Sequence, residues 1–335
     1  MKQDAAGKRR APAYLQFYPT LRCNMACTFC FNRGVAEKIS GDIDADIDDF
    51  RIIVAIAADQ GIGHIDFLGG EPTLHPDIEA MIGAIASAGM MTTMSSNGTR
   101  PEILEALSRR FSETSLRIGI SVNARPKAGP NAGSIDSRLR HYINSYRPIV
   151  KTLFSNDLAR LDNGLFAGFD ASGLDLRLIY RDAVQEADLK ECAGFAAFYD
   201  ALGRVKGRIP SLEGVYCSGF LPDSDYPELD AARCPAGTTK LAVLPDGTVY
   251  PCYLLFRYDR FRLGNLLEDG FQTLWENPIL EFFRRFEKNR CPSTGCGLFD
   301  RCHGGCPAIS YIFSGDPAGP DPRCCGLPTE PGGRV

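Results

Sequence analysis

Residues 13–30 read AYLQFYPTLRCNMACTFC, a short β-rich run followed at once by three cysteines. The β-rich run over residues 13–18, apolar or aromatic except for Gln16, predicts a strand. Cys23, Cys27 and Cys30 follow at C-x3-C-x2-C spacing, which places three thiols on one loop at the carboxyl end of that strand. In barrels of parallel strands this end carries the active site. The segment therefore predicts the fold class and the place of its chemistry together.

Beyond this segment, β-rich runs alternate with helical periodicity, a pattern typical of βα units around a parallel sheet. The predicted strands are residues 13–18, 64–68, 91–95, 116–122, 149–154 and 174–180. The predicted helices are residues 46–59, 76–88, 101–110, 134–146, 157–161 and 186–202. These units fall short of a closed eight-fold barrel. An α/β fold with a partial (β/α)6 barrel is therefore expected.

The chain changes character after residue 209, where Gly, Pro and Cys become frequent and strands become short. Strands are predicted at residues 240–244 and 248–250, and one amphipathic helix at residues 273–288. The predicted domains are a flexible arm at 1–12, the barrel at 13–205, a small Cys-rich domain at 206–326 and a loose tail at 327–335.

Composition restricts the class of protein. Hydrophobic residues make up 44% and charged residues 23% of the 335 residues, which excludes a disordered chain. No apolar run reaches the roughly 20 residues that a membrane span needs, and the first residues lack the apolar stretch of a signal peptide. The net charge of -4 provides no general attraction for nucleic acid. We therefore expect a cytoplasmic protein without nucleic-acid or membrane partners.

Cysteine is the unusual component, with 13 cysteines against 4 histidines. In a reducing compartment such clusters indicate a metal or catalytic role. Zinc usually takes four protein ligands, and no fourth Cys or His lies near the three-cysteine loop. Three thiolates suit a [4Fe–4S] cluster with one iron open to another molecule. Zinc or unliganded thiols remain the alternatives.

The loop sequence CNMACTFC resembles the signature of the radical S-adenosylmethionine (SAM) superfamily in its spacing and in Phe29 before the last cysteine. The resemblance implies that Cys23, Cys27 and Cys30 hold a catalytic [4Fe–4S] cluster. It also implies that the amino and carboxylate groups of SAM chelate the open iron. One-electron cleavage of SAM then produces a 5′-deoxyadenosyl radical.

Further segments resemble the cofactor contacts of the same family. Gly69-Gly70-Glu71-Pro72 ends the second predicted strand and is similar to the family's GGEP segment. There, glycines permit close approach and Glu71 meets the methionine ammonium. The resemblance implies cofactor contacts at the ends of the third and fourth strands as well, with ribose hydroxyls at the fourth and adenine near Phe29. These contacts are Ser96, Asn97, Ser121 and Asn123.

The carboxyl-terminal cysteines resemble the SPASM domain, an extension of radical SAM enzymes with two auxiliary iron–sulfur clusters. The matching residues are Cys234, Gly247, Cys252, Cys291, Cys296, Cys302, Cys306 and Cys324. Cys291 and Cys296 depart from the family pattern, since four residues separate them where the family usually has two. Structural zinc is the alternative, because tetrathiolate zinc uses the same ligands.

A count of ligands leaves one place to fill. If SAM takes one iron position, three [4Fe–4S] clusters need one more ligand than the loop and array supply. Cys217, just upstream, completes the count and leaves as spares Cys192, predicted on an apolar helix face, and Cys325. The resemblance then implies two interleaved sets, with Cys324 chosen over Cys325 by spacing. The first is Cys217, Cys234, Cys252 and Cys306; the second is Cys291, Cys296, Cys302 and Cys324.

These resemblances imply an oxygen-sensitive oxidoreductase or maturase that abstracts hydrogen from a ribosomal peptide or protein, with oxidation or cross-link formation. Formylglycine-forming relatives commonly have an acidic residue directly after the cysteine that here is Cys252, whereas this chain has Tyr253. Tyr253 is interpreted as a packed surface aromatic, with a proton or hydrogen-bond partner as the alternative. The expected partners are the peptide substrate, a reductant such as flavodoxin or ferredoxin and a separate leader-binding protein, since only 22 residues precede Cys23. A small-molecule substrate such as a sugar alcohol or tetrapyrrole side chain is the enzymatic alternative, and a non-catalytic electron carrier is the alternative of another class.

The ligand count makes Cys217 a direct test. Because Cys217 is assigned to an auxiliary cluster, Cys217→Ala lowers the iron bound after anaerobic reconstitution and leaves reductive SAM cleavage in place. Iron and 5′-deoxyadenosine are measured on the same preparation. An unchanged iron content removes Cys217 from the ligands.

Overall fold

A computed structural model describes residues 11–37, 41–123, 136–154, 173–207, 209, 211–215, 234–284, 291–292, 295–297 and 304–325. Its first half alternates strands with helices, as predicted. The strands are β1 (Tyr14–Phe17), β2 (His64–Phe67), β3 (Met91–Ser96), β4 (Leu116–Ser121), β5 (Ile149–Phe154) and β6 (Leu176–Tyr180). The helices between them are α1 (Ile47–Asp59), α2 (Ile78–Ser87), α3 (Pro101–Arg110) and α4 (Ser137–Tyr146).

Over the described residues the sheet is open and has ten strands, in the order β10 (Gly264–Asn265), β9 (Thr248–Tyr250), β8 (Lys240–Val243), β1, β2, β3, β4, β5, β6 and β7 (Leu212–Val215). Every pair from β1 to β7 is parallel. Parallel strands place all their carboxyl ends at one edge, so the loops after β1, β2 and β3 meet there. The open parallel sheet confirms the partial-barrel fold class.

The sheet also has strands that sequence reasoning did not assign to it. Strand β7 (Leu212–Val215) pairs in parallel with β6. At the other side, β8 (Lys240–Val243) pairs in parallel with β1, and β9 (Thr248–Tyr250) and β10 (Gly264–Asn265) follow antiparallel. The sheet is therefore continuous across the predicted boundary after residue 205, and the domain limits stay predictions.

Helix α1 shows how the layers form. The Asp46 carboxylate accepts hydrogen bonds from the backbone N–H of Asp48 at 2.8 Å and Asp49 at 3.1 Å, which caps the helix. The buried face of the helix carries Phe50, whose ring lies 4.8 Å from that of Phe17. Apolar side chains of the helices thus cover one face of the sheet.

The opposite face of the strands is polar. Asp66 on β2 accepts hydrogen bonds from Gln16 Nε2 at 3.2 Å and from Thr93 Oγ1 at 2.6 Å. All three side chains are buried, so the polar groups of the interior bond to one another. This face leads to the edge where the cysteine loop lies.

Two predicted helices are broken in the structure. The helix predicted at 186–202 is a short α5 (Glu186–Leu189) and a separate α6 (Phe195–Lys206). Cys192 therefore lies between helices, and its predicted place on an apolar helix face is wrong. Gly194 caps α6 in an extended conformation, which interrupts the helix.

The helix predicted at 273–288 divides into α7 (Phe271–Trp275) and α8 (Ile279–Arg284) because Pro278 disfavours helical backbone in the residue before it. Two further helices were not predicted: α9 (Pro307–Ser314) and α10 (Pro322–Cys325). The helix predicted at 157–161 lies outside the described residues, and among those described no helix is long and apolar enough to cross a bilayer.

Two neighbouring isoleucines on α1 test the layer packing. Ile53 is 1% exposed and Ile52 is 51% exposed. We expect Ile53→Ala to lower the free energy of unfolding by about 2–5 kcal/mol, because it leaves a cavity between helix and sheet. Ile52→Ala, the matched control, changes it by no more than about 0.5 kcal/mol. Urea unfolding under anaerobic conditions measures both, and equal effects contradict the assigned orientation of α1.

Candidate active site

The three cysteines of the first loop lie at the carboxyl edge of β1. Cys23 is exposed, whereas Cys27 and Cys30 are half-buried. The loop turns back on itself, because the Cys30 N–H donates to the Cys27 carbonyl at 3.2 Å. Burial raises the pKa of the Cys30 thiol, and the nearby Cys23 raises it further. The loop therefore brings three thiols together. These thiols must lose their protons when they bind a metal.

The segment after β2 pairs with this loop through its backbone. Gly70 N–H donates to the Thr20 carbonyl at 2.9 Å, and Glu71 N–H donates to the Arg22 carbonyl at 2.8 Å. A Cβ on Gly70 would overlap the Arg22 carbonyl, and one on Gly69, which has φ +124°, would overlap that of Thr20. Only glycine permits this approach. The two loops are thus held in register directly before Cys23.

Glu71 connects this pairing to the loop after β3. Its carboxylate accepts from Thr73 Oγ1 at 2.7 Å, from Ser96 Oγ at 2.9 Å and from the Asn97 N–H at 2.7 Å. The residue is 1% exposed, and this burial raises the pKa of Glu71 against the opposing effect of its hydrogen bonds. Both carboxylate oxygens bond within the protein. Glu71 therefore organises the loops around the thiols.

Asn97 extends the contact to the cysteine loop itself. Its side-chain Nδ2 donates to Asn24 Oδ1 at 2.9 Å and lies 3.9 Å from Cys23 Sγ. Asn24 also accepts from Thr99 Oγ1 at 3.3 Å. The loops after β1, β2 and β3 consequently form one hydrogen-bonded unit around Cys23.

The cysteines of the second half separate into two places. Cys234, Cys252 and Cys306 all pack into one apolar cluster with Tyr18 and Tyr250. Outside that cluster, burial raises the pKa of the Cys325 thiol, and the neighbouring Cys291 and Cys324 raise it further. Cys217 and Cys302 lie outside the described residues. Over the residues that are described, no three Cys, His, Asp or Glu side chains already surround a metal position, so the ligand sets stay predictions.

A buried phenol and carboxylate lie beside Cys252. Tyr253 is 2% exposed, and its hydroxyl donates to Asp182 Oδ2 at 2.7 Å at the carboxyl end of β6. Its ring lies 4.6 Å from that of Phe31, directly after Cys30. The interpretation of Tyr253 as a surface aromatic is therefore wrong. Its side chain spans the space between the two cysteine regions.

An ion pair joins the end of β6 to the last cysteines. Arg323 Nη2 lies 2.7 Å from Asp321 Oδ2, and Arg323 Nη1 donates to the Arg181 carbonyl at 2.8 Å. Asp321 also accepts from the Cys306 N–H at 2.8 Å. Burial alone would raise the pKa of Asp321, but the Arg323 guanidinium outweighs it and holds that pKa below its usual value. The pair anchors both Cys306 and the Cys324 segment to the barrel.

Comparison with known families agrees with this division of the chain. The model of the Radical SAM superfamily matches residues 17–153, and the SPASM model, an iron–sulfur cluster-binding domain, matches residues 234–303. This chain is a radical SAM protein with a SPASM domain.

Relatives of this radical SAM protein match over nearly its whole length. The mycofactocin maturase MftC of Mycobacterium ulcerans (strain Agy99) is 27% identical, over 94% of this chain and 88% of its own. The PqqA peptide cyclase of Methylobacterium sp. (strain 4-46) is 23% identical, over 94% and 86%. The crystal structure of Streptococcus suis SuiB bound to S-adenosylmethionine has a TM-score of 0.72 at 20% identity, over 94% and 77%. SuiB has also been solved bound to its precursor peptide SuiA.

The residues of the first loop fit the cofactors of a radical SAM protein. Such a protein uses a [4Fe–4S] cluster with SAM, and its SPASM domain binds auxiliary clusters. Three thiols on one loop match a cluster with one open iron. Cys23, Cys27 and Cys30 would hold it, with the Gly69–Gly70 backbone and Asn97 beside them.

Several of the other predicted cofactor-contacting residues form hydrogen bonds within the protein. Ser96 Oγ is bonded to Glu71 and also accepts from the Gly98 N–H at 3.1 Å. Asn123 Oδ1 accepts from the Leu153 N–H at 2.8 Å, which joins the end of β4 to β5. Pro72 is buried, whereas Ser121 and Phe29 are half-buried. Their cofactor contacts stay predictions, as does the contact between Glu71 and the methionine ammonium.

Sequence reasoning missed a buried lysine. Lys151 on β5 donates to Ser95 Oγ at 2.5 Å. Burial lowers the pKa of Lys151 to about 8, although Asp66 and Glu71 raise it. The sequence did contain a signal for this residue, since Lys151 is a charged side chain within a strand of mostly apolar residues, IVKTLF. Asp182 and Arg323 carried no such signal, because their partners are distant in sequence.

Gly70 provides the sharpest test of the loop pairing. In Gly70→Ala the new methyl meets backbone carbonyls of the cysteine loop, so the thiols must move. We expect reductive SAM cleavage to fall about a hundredfold. Gly83→Ala on α2, where nothing lies within 4 Å of the new methyl, is the control and leaves cleavage unchanged. The assay measures 5′-deoxyadenosine after anaerobic reconstitution, and wild-type rates in Gly70→Ala contradict the pairing.

Proposed function

We propose that this radical SAM protein modifies a ribosomally made peptide or protein, abstracting hydrogen from a side chain to produce an oxidation or a cross-link. Two observations support the peptide substrate. The relatives that match over 94% of the chain are a mycofactocin maturase and a PqqA peptide cyclase. The fold is also that of SuiB, a protein solved with a precursor peptide.

The observation that supports a catalytic role is the hydrogen-bonded unit that the loops after β1, β2 and β3 form around Cys23. An electron carrier requires only the thiols that bind its cluster. It does not require the loops after β2 and β3 to pack against the cysteine loop. Here Gly70, Glu71 and Asn97 place backbone and amide groups directly beside the thiols. When bound, a [4Fe–4S] cluster and SAM supply a 5′-deoxyadenosyl radical that abstracts hydrogen.

The chain's own residues fix the geometry for this chemistry. Glu71 holds the loops after β2 and β3 in one arrangement through four hydrogen bonds to buried or half-buried groups. Rigid placement of reacting groups is worth several orders of magnitude in rate. The Tyr253–Asp182 pair and the Arg323–Asp321 pair hold the SPASM cysteines against the same end of the barrel.

Cys252 and Cys306 would help to hold an auxiliary cluster, which would supply an electron acceptor for the substrate radical. An oxidised or cross-linked product requires such an acceptor, because the substrate radical must lose one more electron. The proposal includes a reductant such as flavodoxin or ferredoxin, a separate leader-binding protein and a cytoplasmic location.

The test combines the reconstituted chain with reductant, SAM and candidate precursor peptides chosen from the products of neighbouring genes. We expect 5′-deoxyadenosine together with a peptide that has lost two hydrogens, both measured by mass spectrometry. Cys27→Ala abolishes both products. Cys192→Ala is the matched control, because Cys192 is a half-buried cysteine that belongs to neither predicted ligand set, and it retains both products.

The alternatives predict different results in the same assay. SAM cleavage with every candidate peptide unchanged contradicts the peptide substrate and favours a small molecule. Bound iron with no SAM cleavage under any condition contradicts the enzyme and favours an electron carrier.

A further inference from the structure

An arginine from the second half of the chain contacts the end of the cysteine loop. Arg257 lies just beyond the short 3-10 turn (Tyr253–Leu255) that follows Cys252. Its Nη2 donates to the Phe31 carbonyl at 3.0 Å and to the Arg33 carbonyl. Phe31 and Arg257 are 226 residues apart in sequence. The loops after β2 and β3 hold the start of the cysteine loop, so Arg257 supplies a contact at its other end.

Arg33 extends this contact into the loop. Its Nη2 donates to the Thr28 carbonyl and, at 3.4 Å, to the Cys27 carbonyl. Arg257 therefore binds the backbone of a residue whose own guanidinium binds the backbone at the second cysteine. Arg33 is exposed, whereas Arg257 is half-buried, so water competes less for the hydrogen bonds of Arg257.

The position of Arg257 is fixed by the packing of its neighbours. The Phe256 ring lies 5.0 Å from the ring of Tyr18 and 5.3 Å from that of Tyr250, both in edge contacts. The Tyr253 ring lies 4.6 Å from that of Phe31. Both Phe256 and Tyr253 are buried. The segment after Cys252 and the segment after Cys30 are thus joined by ring packing as well as by the guanidinium.

Arg257 also places a permanent positive charge near Cys30. Burial raises the pKa of the Cys30 thiol, and the Arg33 and Arg257 guanidinium groups act against that rise. They favour the thiolate, which is the form that binds iron. A [4Fe–4S] cluster on three thiolates becomes more negative when it takes up an electron, so a nearby positive charge raises its reduction potential.

We propose that Arg257 is a positioning residue of the catalytic cluster site, which holds the segment after Cys30 in place and stabilises the reduced cluster through its charge. Because this contact comes from the segment next to Cys252, the second half of the chain shapes the site of the first half directly. The proposal depends on the [4Fe–4S] site of the cysteine loop and is independent of the peptide substrate.

Amide hydrogen exchange tests the positioning role. The Val35 N–H donates to the Asn32 carbonyl at 3.0 Å, within the segment that Arg257 holds. Arg257→Met keeps a side chain of similar length without charge or donors. We expect the Val35 amide of this variant to exchange at least tenfold faster in the anaerobically reconstituted chain, measured by mass spectrometry with fragmentation. Exchange at the wild-type rate overturns the proposal.

Arg260→Met is the matched control, since it removes the same charge three residues later in the chain. The Arg260 guanidinium lies over the rings of Phe261 and Tyr311, each at 5.2 Å. We expect this variant to keep the wild-type exchange rate. Faster exchange in Arg260→Met, equal to that in Arg257→Met, overturns the specific role of Arg257.

The reduction potential tests the charge, which a purely structural contact would leave unaffected. Anaerobic titration with dithionite is followed by electron paramagnetic resonance, and the signal that changes on addition of SAM identifies the catalytic cluster. We expect Arg257→Met to shift its potential to a more negative value and Arg257→Lys, which keeps the positive charge, to restore it. An unshifted potential in Arg257→Met, or an equal shift in both variants, overturns the proposal.

Far-UV circular dichroism verifies the fold of each variant. If Arg257→Met does not fold, Arg257→Gln takes its place, because it removes the same charge and remains polar. The same results are then expected, and the same results contradict the proposal.

Discussion

The active site depends on the close approach of two backbone segments, Gly70 and the loop that ends at Arg22. Their hydrogen bonds extend the β1–β2 pairing beyond the sheet and place the cysteine loop in one register. Because a Cβ at Gly70 would overlap backbone carbonyls, the approach requires glycine. Glu71, the next residue, accepts hydrogen bonds from Ser96 and Asn97 and so fixes the position of the loop after β3. The arrangement of the three loops around Cys23 thus depends on the absence of a side chain at residue 70.

A second constraint is electrostatic and joins the two halves of the chain. Arg323 is almost fully buried, and a buried charge is stable only when it is paired and hydrogen-bonded. Asp321 and the Arg181 carbonyl satisfy it, so the short helix of the last cysteines is anchored to the end of β6. The hydrogen bond between Tyr253 and Asp182 adds a connection beside Cys252. The SPASM cysteines are thereby held next to the carboxyl edge of the barrel.

Local patterns predicted the barrel elements well and the longer helices poorly. Strand β5 and helix α3 have the predicted bounds. The strand is rich in β-branched and aromatic residues, and the helix begins at a proline and has a clear apolar face. The helix predicted at 273–288 failed at Pro278, where an amphipathic pattern continues across a break. Strands β7 and β8 were not placed in the sheet, since their partners are set by pairing between segments far apart in sequence.

The sequence by itself determined the chemistry of this protein: three thiols after a strand, glycines after the next and a second cysteine array, all readable because each lies within one short segment. Only the tertiary structure decided which groups meet. It placed Glu71 against Ser96 and Asn97 and buried Tyr253 against Asp182. The physical reason is that burial and hydrogen bonding act between groups that are close in space, and spacing along the chain carries no information on the direction of a side chain.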